Sequence, residues 1–341
     1  MVLGISSHQF DIHAAFAPLI SSLPNHTSIY HKWPRENLRT TLPDYISLFT
    51  STIPDINKNS TFENSITLMG TPIHVFEGSK IEISLTNYLQ TAGLSLHFHG
   101  FEMQKSLMYD GVVGITQCAV SPFESFLYNF TVNEVPGTYW YHTHSGLLGL
   151  DGYNAIKGPL IVHSKNSHNL DSIVRINNNQ LSVADSSLLS YGYERILFFS
   201  DGSLLSESTL YANKIGGLNP PVSKNEDGFT VGSQDYNFGT CNGKLREVIH
   251  VVPNKMYKLR LINGGSHYAF RISIDYVPMT IIAADSEQVQ PREVDEVILH
   301  AGERFDVEIF IPPEMKDGER FWIRADTLES KIQGYQVRLY L

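Results

Sequence analysis

Cysteine is nearly absent: the 341 residues contain two, Cys118 and Cys241. That is too few for a disulfide-dense scaffold. A chain of this length needs no such staples, because two domains, or three small ones, can each bury a core. Positive charge is also scarce. Lys and Arg total 25 against 35 Asp and Glu, the formal net charge is −10, and no run of basic residues forms a stripe. This argues against nucleic acid and against anionic membrane surfaces as partners, and solubility is a sufficient reading of the acidity. No apolar run approaches the roughly 18 residues of a membrane span. At the start, Met1-Val2-Leu3-Gly4-Ile5 runs into Ser6, Ser7 and His8 before a signal-peptide core can form.

What the sequence does contain is histidine in a pattern. Between Leu94 and Val162 stand two His-X-His pairs, His97/His99 and His142/His144. Both lie in segments that alternate with a period of two and so read as strands. Leu94, Leu96 and Phe98 share one face, and Ser95, His97 and His99 share the other. At strand rise, two same-face histidines start about 6.6 Å apart, a spacing suited to adjacent metal ions. Imidazole-rich sites suit copper, zinc, iron or nickel. One pair is a weak signal, and a lone histidine is usually a core or surface residue. Two pairs, about 45 residues apart, make a candidate metal centre.

Taken in order, residues 1–61 read as an irregular lead-in. Phe10, Ala14, Ala17 and Ile20 suggest a short helical stripe, which Pro18 interrupts. Short strands between turn residues follow, and residues 62–164 are expected to form one Greek-key β domain. Ile81, Ile83 and Leu85 alternate in it, as do Phe126, Tyr128, Phe130 and Val132. Residues 165–190, rich in Ser, Asn and Asp, read as a linker. Residues 191–341 read as a second β domain, with strands at 196–199, 248–252, 257–262, 270–274, 279–284, 307–311, 321–324 and 335–341.

The letters around the histidines are more specific than their spacing. The first pair reads Leu96-His97-Phe98-His99-Gly100-Phe101, followed by Tyr109-Asp110-Gly111. The second reads Gly137-Thr138-Tyr139-Trp140-Tyr141-His142-Thr143-His144-Ser145-Gly146, followed by Gly158-Pro159-Leu160-Ile161-Val162. This resembles the first cupredoxin domain of the multicopper oxidases, the family of laccases, ascorbate oxidases and ferroxidases. The second half is similar to the middle domain of that family in Thr240-Cys241-Asn242-Gly243-Lys244, Arg260-Leu261-Ile262-Asn263-Gly264 and Gly302-Glu303-Arg304-Phe305-Asp306-Val307. Those words read as turns and core, since Gly and Asn set turns while the apolar residues fill an interior. The resemblance covers about residues 62–341, stops where a third domain is expected, and implies an all-β fold of two Greek-key cupredoxin-like sandwiches or barrels in tandem.

The resemblance also implies a chemistry. Copper is the expected cofactor, with dioxygen and a reducing small molecule or metal ion as partners. His97 is expected at a type 2 copper, and His99, His142 and His144 at the type 3 pair. Asp110 matches an acidic residue that delivers protons near the cluster, while its plain reading is a turn carboxylate, and both stand. A type 1 copper needs a Cys thiolate with two His, and neither Cys118 nor Cys241 has a neighbouring histidine. No third His-X-His occurs, so four of eight cluster ligands are expected here. The chain is therefore expected to be either part of a longer laccase-like oxidase or a copper-binding module without turnover. Cys118 and Cys241 have two readings: an interdomain disulfide, or pairing of Cys118 with a cysteine of the further domain, as in some relatives. The resemblance implies an extracellular origin, which three Asn-X-Ser/Thr sites at Asn25, Asn59 and Asn129 permit, with a cytosolic product as the alternative.

Overall fold

Alternating apolar side chains force the first strands into two facing sheets. The computed structural model describes residues 7–18, 45–52, 69–70, 72–87, 93–144, 156–164, 190–191, 193–202, 238–243, 247–266, 268–315, 320–328 and 335–340. In the first domain these form β1 (Ser7–Pro18), β2 (Tyr45–Thr52), β3 (Ile73–Phe76), β4 (Lys80–Asn87), β5 (Leu96–His99), β6 (Ser125–Thr131), β7 (Gly137–Thr143) and β8 (Lys157–His163). One sheet runs β2-β1-β4-β6 and the other β3-β8-β7-β5. Ile81, Ile83, Leu85, Tyr128 and Phe130 of the first meet Leu96, Phe98, Tyr139, Tyr141, Leu160 and Val162 of the second in one buried core.

The second domain repeats this plan. Its strands are β9 (Ser190–Tyr191), β10 (Glu194–Gly202), β11 (Phe238–Cys241), β12 (Val248–His250), β13 (Lys255–Asn263), β14 (Phe270–Ile274), β15 (Met279–Ala284), β16 (Glu287–Val294), β17 (Glu296–Leu299), β18 (Arg304–Ile311), β19 (Arg320–Thr327) and β20 (Tyr335–Tyr340). A sheet β11-β10-β13-β18-β15-β16, with β9 on β10, faces a sheet β12-β20-β19-β14-β17. Leu259, Leu261, Val307 and Ile309 pack between them against Phe270, Ile272, Leu299 and Ile323. The only helical turn among the described residues is the 3-10 turn Leu107–Tyr109, and none of their helices is long and apolar enough to cross a membrane.

Several expectations need correction. Residues 1–61 are not an irregular lead-in throughout, because β1 pairs parallel with β4 and antiparallel with β2. The letters Phe10, Ile12, Ala14 and Phe16 also recur with a period of two, and sheet pairing selects that period over the helical one. β16 and β17 were not anticipated. β16 is almost wholly exposed, lies at a sheet edge and contains Pro291, so it shows no apolar alternation. The two cysteines do not bond to each other: Cys118 is exposed on a first-domain loop, and Cys241 is buried in the second-domain core. The proposed linker up to residue 189, the N-terminal five residues, Asn25 and Asn59 lie outside the described residues.

The sheet β3-β8-β7-β5 is covered on both faces, which explains why every residue of β8 is buried. Its inner face meets the first core. On its outer face Trp140 and Ile161 pack against Ile196, Phe198 and Ile262 of the second domain. Beside this patch lies a buried polar clamp. Thr138 Oγ1 donates to Asp306 Oδ1 at 2.5 Å and accepts from Arg260 Nη1 at 2.7 Å. Asp306 Oδ2 also accepts from Arg260 at 3.0 Å and Lys258 at 2.9 Å, and Arg260 reaches Glu194 at 2.9 Å. Burial alone would raise the Asp306 carboxyl, but Arg260 and Lys258 hold it below the ordinary value. Asp306→Ala is expected to strand these cations and to lower stability by about 3–5 kcal/mol, as read from denaturant unfolding; a loss under about 1 kcal/mol would show that the clamp is not under tension from burial.

Candidate metal centre

β5 and β7 pair antiparallel with His97 opposite His142 and His99 opposite Trp140. Residues directly opposite in a ladder project to the same face. Because Phe98 and Tyr141, also opposite each other, are buried in the first core, His97, His99, Trp140 and His142 all project outward. The rings converge. Centroids lie 5.3 Å apart for His97 and His142, 5.6 Å for His99 and His142, 5.5 Å for His97 and His144, and 5.9 Å for His142 and His144. One donor nitrogen from each of His97, His99 and His142 fits within a 4.8 Å group, a spacing suited to metal ions. His144 falls outside that tight group but packs on two of its members.

Backbone carbonyls set the tautomers. His97 Nδ1 lies 2.6 Å from the Asp110 carbonyl oxygen, and His142 Nδ1 lies 2.8 Å from that of Thr143. A carbonyl only accepts, so each Nδ1 carries the proton and each Nε2 keeps its lone pair for a metal. The Asp110 carboxylate stands 3.2 Å from the same His97 nitrogen, at the end of the Leu107–Tyr109 turn. The loop then returns against the edge strand β5. Gly111 sits at φ +84° with its backbone on Leu96, so closely that a Cβ would overlap the Leu96 carbonyl. Ser95 Oγ donates to the Gly111 carbonyl at 2.5 Å and lies 2.9 Å from that of His144.

Burial keeps His99 and His142 neutral. His142 is pushed down to about 3, by burial first and then, against a favourable contact with the Thr143 carbonyl, by the other three histidines. His99 is pushed down to about 4 by burial, then by Arg304 and His97. Neutral imidazole is the metal-binding form, so His99 and His142 fit a copper ion without needing prior deprotonation at neutral pH.

Three contributors were passed over in the sequence. Trp140 packs on His99 and His142, with centroids 4.7 and 4.4 Å away. Its alternation with His142 was the available signal. Gly302 and Arg304, read as turn and core, come from the second domain: a Cβ on Gly302 would lie 3.0 Å from His99 Cε1. Nothing local marks them. Among the histidines that stand singly in sequence, His74 and His163 meet across β3 and β8, with Nδ1 2.8 Å from Nε2. His163 is pushed down to about 2 by burial, then by His74, Arg260 and Lys258.

Comparison with known families decides the lineage. Residues 51–167 match one family model described as multicopper oxidase, and residues 206–339 match a second with the same description. The chain belongs to the multicopper oxidase family. Members of this family are copper-dependent oxidoreductases, and both halves of this multicopper oxidase chain take its all-β cupredoxin form. It is 32% identical over 279 residues to Laccase-2 of Cryptococcus neoformans var. grubii, covering 78% of this chain and 43% of that protein. It is 26% identical over 283 residues to L-ascorbate oxidase of Cucurbita maxima, covering 80% of this chain and 46% of that protein. The chain thus spans less than half the length of these relatives. In fold it is similar to the solved structure of Fet3p, a multicopper oxidase that functions in iron import, with a TM-score of 0.68, 20% identity, and coverage of 98% of this chain and 52% of that one. The blue copper oxidase of Nitrosomonas europaea gives a TM-score of 0.60 at 20% identity, with 98% and 85% covered.

Two tests follow from the site's geometry. As pH falls below about 6.5, histidines of the unfolded chain take up protons, while His99 and His142 stay neutral in the fold until about 4 and 3. The unfolded state then binds more protons, so stability declines with falling pH across that window. Thermal midpoints measured in chelator are expected to fall from pH 6.5 to 4, less steeply in His142→Gln; equal slopes would contradict the burial argument. Gly111→Ala is expected to destabilise by about 1–3 kcal/mol through its positive φ and the Leu96 overlap, and to loosen the Asp110–His97 contact. Unchanged histidine ring resonances in its NMR spectrum would argue against that coupling.

Proposed function

We propose that His97, His99, His142 and His144 supply half of the ligands of a copper cluster at which dioxygen is reduced to water in a laccase-like multicopper oxidase. The observation that carries this reading is the convergence of four imidazoles on one sheet face, two of them with Nδ1 tied to carbonyls and Nε2 left as donor. By family pattern His97 serves a type 2 copper, and His99, His142 and His144 serve the type 3 pair. Bound copper supplies one-electron redox chemistry and a place for oxygen. The chain's own residues do the rest: β5 and β7 fix the rings, Asp110 orients His97, and its carboxylate, 20% exposed, can pass protons between solvent and the site.

In this reading a reducing small molecule or metal ion is the second substrate, oxidised where a type 1 copper accepts its electron. Neither Cys118 nor Cys241 has a neighbouring histidine in sequence, which supports a type 1 copper held by residues outside this stretch. Acting alone, then, this stretch is a copper-binding module without turnover. An extracellular site of action belongs to the same proposal.

The test is to load the purified chain with copper, dialyse it, and measure bound metal, visible absorption and oxygen uptake. Copper is expected to be retained at neutral pH, lost in His142→Ala, and released on acidification as protons compete for imidazole. The intense blue thiolate-to-copper band is expected to be missing, with no oxygen consumed in the presence of phenols, ascorbate or ferrous iron. Copper retention no greater than in a variant lacking all four histidines would sink the site assignment. Oxygen uptake that disappears in His99→Ala would sink the claim that the chain alone does not turn over.

A further inference from the structure

The contacts of Trp140 give the second domain a task at the histidine site. The centroids of His99 and His142 are 5.6 Å apart, and each lies within 4.7 Å of the indole centroid. That separation is too short for the two imidazoles to flank the indole from opposite sides. Both rest on one side of it, tilted 26° and 28° from its plane, so a single aromatic surface sets two ring planes.

The indole is itself held from the second domain. Its Nε1–H donates to the Gly302 carbonyl at 3.4 Å, and that carbonyl also accepts from Arg304 Nη1 at 3.2 Å. Arg304 Nε donates to the Thr138 carbonyl at 2.9 Å, two residues before Trp140 in β7. Its guanidinium lies 5.8 Å from the centre of the Tyr139 ring and pairs with Asp285 at 2.9 Å. It also fills the space beside Gly100, where a Cβ would lie 2.6 Å from Nη2. One second-domain side chain therefore grips the strand carrying Trp140, the residue after His99, and the turn that touches His99.

We propose that the second domain positions the metal-binding imidazoles, with Arg304 fixing the Gly302 carbonyl and the Thr138 backbone, and Trp140 transmitting that placement to the ring planes of His99 and His142. The proposal rests on the copper reading above. Trp140, Gly302 and Arg304 are positioning residues, since none offers a metal a suitable donor. Their effect falls on how well the ligands are preorganised, the part of metal affinity that outer partners control.

The experiment is a copper(II) titration of the full chain against a competing chelator, with the electron paramagnetic resonance spectrum recorded for each variant and folding checked by circular dichroism. Trp140→Leu removes the aromatic surface and is expected to weaken copper binding by about 10-fold or more and to change the copper hyperfine pattern. Trp140→Phe, which keeps a flat ring, is expected to recover most of the affinity and the pattern. Asp285→Asn removes the carboxylate charge paired with Arg304 but keeps an oxygen able to accept from the Arg304 backbone N–H, and asparagine tolerates the φ of +54°, so it preserves the fold. It is expected to weaken binding several-fold in high salt as well as low, where a purely long-range charge effect would be screened. Should Trp140→Leu fail to fold, Asp285→Asn decides. Wild-type affinity and spectrum in the folded variants would overturn the positioning role alone. A wild-type chain that binds no more copper than His142→Ala would overturn this role and the copper reading together.

Discussion

The register of β5 on β7 is the constraint on which the site depends. Strand side chains alternate strictly, so a slip of one residue would turn Phe98 and Tyr141 outward and bring the histidines into the core. Burial of those two aromatic rings, each stabilising by about 1.5–3 kcal/mol, resists that slip. The convergence of the imidazoles is thus a by-product of core packing one residue away. The sheet aims the rings, and the Asp110 carboxylate, 3.2 Å from His97 Nδ1, adds to that aim at one of them.

An edge strand such as β5 would ordinarily invite fraying or wrong pairing. Here the loop after the 3-10 turn closes over it, with Gly111 lying against Leu96 and Ser95 tying the Gly111 and His144 carbonyls together. The same loop brings Asp110 to His97, so covering the edge and orienting an imidazole are one event. Around the rings, desolvation disfavours charge on His99 and His142, and the neighbouring imidazoles and Arg304 add to it. The site therefore gives up solvation of imidazolium, which lowers its stability in acid and leaves His99 and His142 neutral near neutral pH.

The second domain contributes in two physical currencies. Trp140, Ile161, Phe198 and Ile262 exclude water from the seam, and the Thr138–Asp306–Arg260 cluster gives it a specific registration. Apolar contact tolerates sliding, whereas hydrogen-bonded buried charges do not, because any shift leaves a desolvated charge without its partner. The second domain, whose family words read from sequence as turns and core, is by this arrangement one wall of the histidine site.

The two His-X-His words, their strand periodicity and the apolar alternation around them were enough to assign the all-β class, most strands and the four converging imidazoles, because face selection in a strand is a local property. Asp110 was legible as a neighbour of the site only through the family word it sits in. Local signals failed where pairing partners decide the structure. β1 carried two competing periods until β4 chose between them, and β16 carried none because an exposed edge buries nothing. Trp140 sat in plain view two residues from His142, yet its hold on Gly302 spans 162 positions, and that of Arg304 on Thr138 spans 166. Contacts of that range arise only when two independently formed sandwiches dock. Sequence thus determined which faces the histidines occupy, and tertiary structure decided what stands against them, since periodicity encodes direction but carries no information about the partner surface.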